Sequence, residues 1–296
     1  MSSAIWALVA ACVLWGTTGT AASFFSDDVS PLAIGASTMV VGGALLFATN
    51  HRRSLAVIGD RTVRAWLLAA AAGMVAYPLA FYAAMDLAGV AIGNVVSLGS
   101  GPIFAALLEW RLHRQRLTGR WMLSASIAIA GVALLVVGGH GSGSPVDPAT
   151  IPAGVALGLV AGAGYALFTL ASGTIIRRGH TGRATMGAAF GLAAIPLAVV
   201  LLVVGAPLLG SLQNVGLAAY LAVGPMFLAY VFFGWGIRAL RSSTVTVITL
   251  LEPLVATLLA IAVVGERLEP LGWVGLALIL LGVAVLSSAR QPRPAP

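Results

Sequence analysis

Two stretches, SLGSGPIFAALL at Ser97–Leu108 and ITLLEPLVATLL at Ile248–Leu259, decide how this chain is read. They lie 151 residues apart, with Pro102 in register with Pro253. The register continues without a gap through Arg116 and Arg267, Leu117 and Leu268, and Gly131 and Gly282. Chance seldom holds alignment over that distance, so the two halves are copies of one unit. Each stretch is apolar and carries an interior proline, which removes a backbone hydrogen bond and frees a carbonyl one turn earlier. Duplicated apolar bundles with proline-broken helices at corresponding positions are the pattern of carriers whose site lies between the repeats near the bilayer midplane.

Working outward, 59% of the 296 residues are hydrophobic and 8% are charged, a composition that belongs in a bilayer. A span takes roughly 20 apolar residues. Charged and turn-forming residues cut the chain into ten such pieces: Ala4–Phe25, Pro31–Thr49, Ala65–Met85, Leu87–Leu108, Trp121–Gly138, Ile151–Ile176, Ala184–Gly205, Val215–Ile237, Ser242–Val264 and Leu271–Ser288. Met1 to Ala4 lacks the positive charge of a signal peptide. The expected fold class is an all-α integral membrane protein with ten transmembrane helices. They form two five-helix repeats, residues 1–139 and 151–290, with a linker at 140–150 and a tail at 291–296. The linker contains HGSGSPVDP (His140–Pro148), as a hinge between packing units would. An odd number of spans per repeat makes the second repeat insert inverted.

Orientation follows from the arginines, since the chain has no lysine. Cytoplasmic loops retain positive charge. With the N-terminus inside, those loops hold Arg52, Arg53, Arg61 and Arg64; Arg111, Arg114, Arg116 and Arg120; Arg177, Arg178 and Arg183; and Arg238 and Arg241. The tail adds Arg290 and Arg293, and only Arg267 falls outside. Asp27, Asp28, Asp86, Asp147, Glu266 and Glu269 lie outside as well. Both termini are therefore expected in the cytoplasm. The net charge of +7 is a product of this topology and no signature of nucleic-acid binding. Cys12 alone implies no disulfide.

Glu252 is the ionisable residue set well inside a span. Ten residues from Ser242, at a rise of ~1.5 Å each, place it ~15 Å deep. An isolated charge there costs roughly 2.5 to 3.5 kcal/mol on insertion scales, so it faces a wet cavity, finds a partner or is protonated. Two readings stay open: a cavity residue that meets substrate, or a structural glutamate beside the proline break. Its counterpart under the duplication is Gly101, so the expected polar site is single.

Around Pro102 the small residues Gly99, Ser100 and Gly101 leave backbone accessible, while Thr246 and Thr249 share a face with Pro253. Pro78 and Pro225 are a second near-equivalent pair. The four prolines are candidate hinges, each weighed against a plain packing kink. Asn94 and Ser97 extend the polar face of the fourth span. Trp15, Tyr77, Tyr82, Tyr165 and Tyr230 lie deep, where a phenol or indole needs a partner, and are candidate walls of a pocket for an amphipathic solute. Trp6, Trp66, Trp110, Trp121 and Trp273 sit at span ends, as interfacial residues do. Gly154, Gly158 and Gly162 read as a close helix-packing stripe. The four histidines fall in loops without metal-ligand spacing, and no P-loop, HExxH or Ser/His/Asp set is present, so no cofactor, metal or enzymatic chemistry is expected.

The Trp15–Gly16 pair, the proline-bearing fourth and ninth spans and the VVGERL ending at Val263–Leu268, set on this scaffold, resemble the EamA-like branch of the drug/metabolite transporter superfamily. Within it the chain looks most like bacterial aromatic amino acid exporters. The resemblance implies alternating access around a central cavity lined by spans one, three, four, six, eight and nine, in the inner membrane of a bacterium. It makes small amphipathic metabolites, above all amino acids, the expected substrates. Cationic drugs are the alternative, with Glu252 as counter-ion; a membrane-embedded enzyme or scaffold is the reading from another class. Oligomeric state is left open.

Overall fold

A computed structural model describes residues 2–114, 118–138, 149–264 and 269–287. The expected linker, but for Ala149 and Thr150, and the expected tail lie outside the described residues. Among the described residues every regular element is helical: α1 (Ser2–Ala22), α2 (Pro31–Ala48), α3 (His51–Gly59), α4 (Arg64–His113), α5 (Gly119–Gly138), α6 (Ile151–Arg177), α7 (Gly182–Val204), α8 (Leu212–Leu221), α9 (Ala229–Ala239), α10 (Ser242–Ile248), α11 (Leu251–Leu259) and α12 (Pro270–Ser287). Among the described residues seven segments are long and apolar enough to cross a membrane: Ser3–Ala22, Pro31–Ala48, Arg64–Met85, Ile151–Arg177, Gly182–Val204, Leu212–Ala239 and Ser242–Val263. Two shorter apolar helices, Gly119–Leu134 and Pro270–Leu286, accompany them. The surface is apolar, with Leu202 85% and Val203 78% exposed, as a lipid-facing surface is.

The 50 residues of α4 would extend ~75 Å as one straight helix, far beyond a bilayer. They double back instead. A Cβ on Gly93 would lie 2.8 Å from the Met85 backbone, whereas eight residues of straight helix span ~12 Å. Helix α6 records both limbs. Along it, Gly154 meets Ala84 and Ala88 while Gly164 meets Gly73 and Tyr77, so the first limb runs antiparallel to α6. Gly158 meets Val96 and Ser97 while Gly162 meets Ser100 and Gly101, so the second limb runs parallel. The reversal follows the acidic corner at Asp86.

Lipid offers helices no hydrophobic drive to associate, so small residues that permit backbone approach carry the packing. The glycine stripe on α6 does so against both limbs of α4. At the α5–α12 contact, a Cβ on Gly131 would lie 2.7 Å from the Gly275 carbonyl oxygen and the Ile279 nitrogen. A Cβ on Gly282 would lie 2.8 Å from the Ser124 carbonyl oxygen and the Ala128 Cβ. Positions 131 and 282, 124 and 275, and 128 and 279 are each 151 apart, so the contact is reciprocal, as across a two-fold axis. The Ser124 hydroxyl seals it by donating to the Gly282 carbonyl at 2.6 Å.

The prolines behave differently from one another. Between α10 and α11 the helix breaks at Thr249–Leu250, one turn before Pro253. The Thr249 carbonyl, which Pro253 cannot serve, accepts from the Glu252 N–H at 3.0 Å. Pro225 lies in a π-helical stretch, Ala222–Leu228. Helix runs uninterrupted through Pro78 and Pro102.

The arginine-rich loops share one end of the bundle. There His180 Nε2 and Asp60 Oδ2 are 2.9 Å apart, and the Arg178 guanidinium donates to the Thr62 carbonyl at 2.5 Å. Hydrogen bonds from Thr62 and His180 hold the Asp60 carboxyl well below the usual range, at about 2. At the other end Asn214 donates to the Ser26 hydroxyl at 2.7 Å, and the Thr150 hydroxyl donates to the Leu87 carbonyl at 2.7 Å.

Candidate functional site

Where α1, α2, both limbs of α4, α6, the π-helical stretch, α9 and the α10–α11 break converge, they line a central cavity of ≈150 Å³. Eight of the ten residues expected to meet substrate line it: Trp15, Tyr77, Tyr82, Ser97, Tyr165, Tyr230, Thr249 and Glu252. Pro78, Pro102 and Pro225 line it too, whereas Pro253 does not. Ser100 turns away, its hydroxyl donating to the Ser97 carbonyl at 3.5 Å and filling the space left by Gly162. The side chain of Asn94 lies outside the described residues.

One wall is aromatic. Trp15 meets Tyr230 edge-on with ring centroids 5.0 Å apart, and Tyr77 sits 5.5 Å from Tyr165 and 5.7 Å from Phe81. Phe168 and Phe233, stacked at 5.9 Å, and Phe190, 4.5 Å from Tyr230, back this wall. Rings supply a broad, rigid, apolar surface at low cost in side-chain entropy.

The polar part of the lining comes from the helix break. Thr246 donates its hydroxyl proton to the Ser243 carbonyl and Thr249 to the Thr246 carbonyl, each at 3.0 Å. The Tyr165 phenol donates to Thr249 Oγ1 at 3.4 Å. Cys12 Sγ lies 3.7 Å from the Ile248 carbonyl, tying α1 to the same break. Glu252 stands at the first turn of α11, and among the described residues its carboxylate has no hydrogen-bond or ion-pair partner. The break thus carries Glu252 to the cavity and leaves it open to a ligand.

Gly35, Thr38 and Met39 extend the lining onto α2, a helix outside the six expected to form the cavity. Thr38 passes its hydroxyl proton to the Ile34 and Gly35 carbonyls at 3.0 and 2.9 Å, a helix-internal habit that leaves no mark in the sequence.

A second cavity of ≈310 Å³ shares Thr18 and Tyr82 with the first and reaches Ser26 and Asp27, so the central cavity leads toward the end away from the arginine-rich loops. The opposite end is clasped. Ser243, at the start of α10, donates its N–H to Glu109 Oε1 at 3.1 Å and its hydroxyl to Glu109 Oε2 at 2.6 Å. Its carbonyl accepts from Trp121 Nε1 at 3.2 Å. Glu109 is 5% exposed and Ser243 2%. Every polar group of Ser243 is therefore engaged by residues from the first half of the chain. The sequence pattern singled out Trp121 only as an interfacial residue and Glu109 not at all; nothing in it paired either with Ser243.

The comparisons with known proteins agree with this architecture. A crystal structure superposes with a TM-score of 0.80 over 96% of both chains at 22% identity, a likeness of fold. An uncharacterized transporter of Bacillus subtilis (strain 168), YwfM, is 34% identical over 284 residues, covering 95% of this chain and 92% of that protein. A protein of Streptantibioticus cattleyicolor named as a probable terminal-alkyne amino-acid exporter is 25% identical over 295 residues, 97% of this chain and 94% of its own. The EamA-like transporter family profile matches twice, at residues 2–137 and 152–288, and the chain belongs to that family.

Proposed function

We propose that this multi-pass membrane transporter exports small amphipathic metabolites from the bacterial cytoplasm by alternating access, with amino acids, including aromatic ones, as its substrates. The observation that carries the reading is the Glu252 carboxylate, without a hydrogen-bond or ion-pair partner among the described residues, in a cavity it shares with Trp15, Tyr77, Tyr82, Tyr165 and Tyr230. The S. cattleyicolor relative, named as a probable terminal-alkyne amino-acid exporter, supports the same class. Cation–π contact with the same rings makes cationic drugs the second reading.

Ten spans in two inverted repeats account for the geometry: the seven long segments, the two shorter apolar helices and the second limb of α4. The reciprocal α5–α12 contact is what a pseudo-two-fold axis between the repeats produces. In this arrangement the arginine-rich end is cytoplasmic, and the cavity leads outward past Thr18 and Tyr82. The cytoplasmic end is closed by the Glu109–Ser243–Trp121 clasp, and rocking of the repeats opens it. Pro225 and Pro253 sit where the helices already depart from regular geometry and absorb that motion.

Accessibility tests this reading. In a Cys12→Ala background, a cysteine at Thr18 reacts with an impermeant thiol reagent added outside the cell. Saturating phenylalanine slows that reaction several-fold. Reaction only from the cytoplasmic side contradicts the orientation, and a rate unmoved by any amino acid contradicts the site.

A further inference from the structure

The hydrogen-bonding sense of the cavity's polar wall bears on its substrate class. Thr246, Thr249 and Thr38 all commit their hydroxyl protons to backbone carbonyls. Toward the cavity they therefore present lone pairs. Glu252, beside Thr249, is acceptor-only when ionised. No arginine, lysine or histidine lines the cavity among the described residues, and the arginines of the helices that form it sit at their ends. The donors left are neutral. They are the indole of Trp15, the hydroxyls of Thr18 and Ser97 and the phenols of Tyr77, Tyr82 and Tyr230, which line the same cavity.

A primary ammonium brings three donors and a positive charge, which matches an acceptor wall built around one carboxylate. A ligand carboxylate brings only acceptors, meets no cation, and is repelled by Glu252. Hydrogen bonds to a charged partner are worth about twice those between neutral groups, so the ammonium dominates recognition.

We propose that this cavity selects its substrate by a primary ammonium set beside an aromatic or apolar body, and that a free carboxylate is dispensable. Resting on the reading of the cavity as the substrate site, this makes aromatic amines and amino-acid esters members of the substrate class, with the parent amino acids weaker ligands.

Four compounds test it by equilibrium competition on the purified full-length protein at neutral pH: phenylalanine, phenylalanine methyl ester, 2-phenylethylamine and N-acetylphenylalanine. The ester and the amine are expected to bind about tenfold tighter than phenylalanine, and N-acetylphenylalanine, which lacks the ammonium, about tenfold weaker. Glu252→Gln should erase the advantage of the ester while the variant melts at or above the wild-type temperature. The wild-type ranking decides the matter even if that variant fails to fold. Phenylalanine binding tightest with N-acetylphenylalanine second would overturn the inference and leave the cavity reading intact. Folded protein that binds none of the four would overturn both.

Discussion

Glu252→Gln is expected to weaken binding of an ammonium-bearing ligand by roughly 10- to 100-fold, the equivalent of one charge-assisted hydrogen bond of about 1.5–3 kcal/mol. The same substitution should leave the protein as stable as the wild type or more so. A carboxylate at that depth without a partner costs roughly 2.5 to 3.5 kcal/mol on insertion scales, and an amide removes the charge. The two signs together separate the readings. A structural glutamate predicts lower thermal stability with normal affinity. A proton-coupling carboxylate predicts that flux loses its pH dependence while exchange down the substrate gradient survives. We favour the cavity role over coupling, because a relay needs a second titratable group, and among the described residues no other carboxylate or histidine lines the cavity. Ligand affinity, flux against pH and melting temperature, measured on the same preparation, distinguish all three.

Glu109→Ala is the second large effect, because it removes both acceptors from a serine that is almost wholly buried. An orphaned buried donor costs about 1–3 kcal/mol, and the Ser243 N–H and hydroxyl are both left so. The cost falls on the conformation that contains the clasp. Opening the cytoplasmic end lets water satisfy the same groups, so the population shifts toward the cytoplasm-open state by roughly tenfold or more. A cysteine at Thr246, which lines the cavity one turn beyond Ser243, reports the change. In the Cys12→Ala background it should resist a thiol reagent on the cytoplasmic side with the clasp intact and react readily in Glu109→Ala. Glu109→Gln keeps an acceptor and should restore part of the protection. Equal labelling in all three proteins would make Glu109 a packing residue and no part of a gate.

How much of this was legible in the sequence depends on which force placed each residue. Membrane residence is written in composition, and the spacing of arginines and turn formers fell close to the ends of α2, α6 and α7, whereas α4 runs on through the boundary expected at Asp86. The glycines on α6 and the paired Gly131 and Gly282 were readable because backbone approach in lipid requires a small residue at a fixed position. Residues whose polarity is expensive at depth, such as Glu252, Tyr165 and Thr249, announced themselves for the same reason. The face Ser100 takes was not legible, since a serine on a helix satisfies itself on its own backbone and its direction depends on a neighbouring glycine 62 positions away. Pro102 and Pro253 look alike in sequence, yet only the second accompanies a break, because the surroundings of a proline decide how the freed carbonyl is met. The clasp was invisible: Glu109 and Ser243 are 134 residues apart, and each alone resembles an ordinary helix end.

The most direct measurement is counterflow in reconstituted vesicles. Purified protein in liposomes loaded with unlabelled phenylalanine should draw external labelled phenylalanine inward transiently above equilibrium, with empty liposomes showing no uptake. The overshoot should fall sharply in Glu252→Gln. Folded, correctly inserted wild-type protein that gives no overshoot with phenylalanine, with other amino acids or with their esters and amines would contradict the account of this chain as an amino-acid exporter.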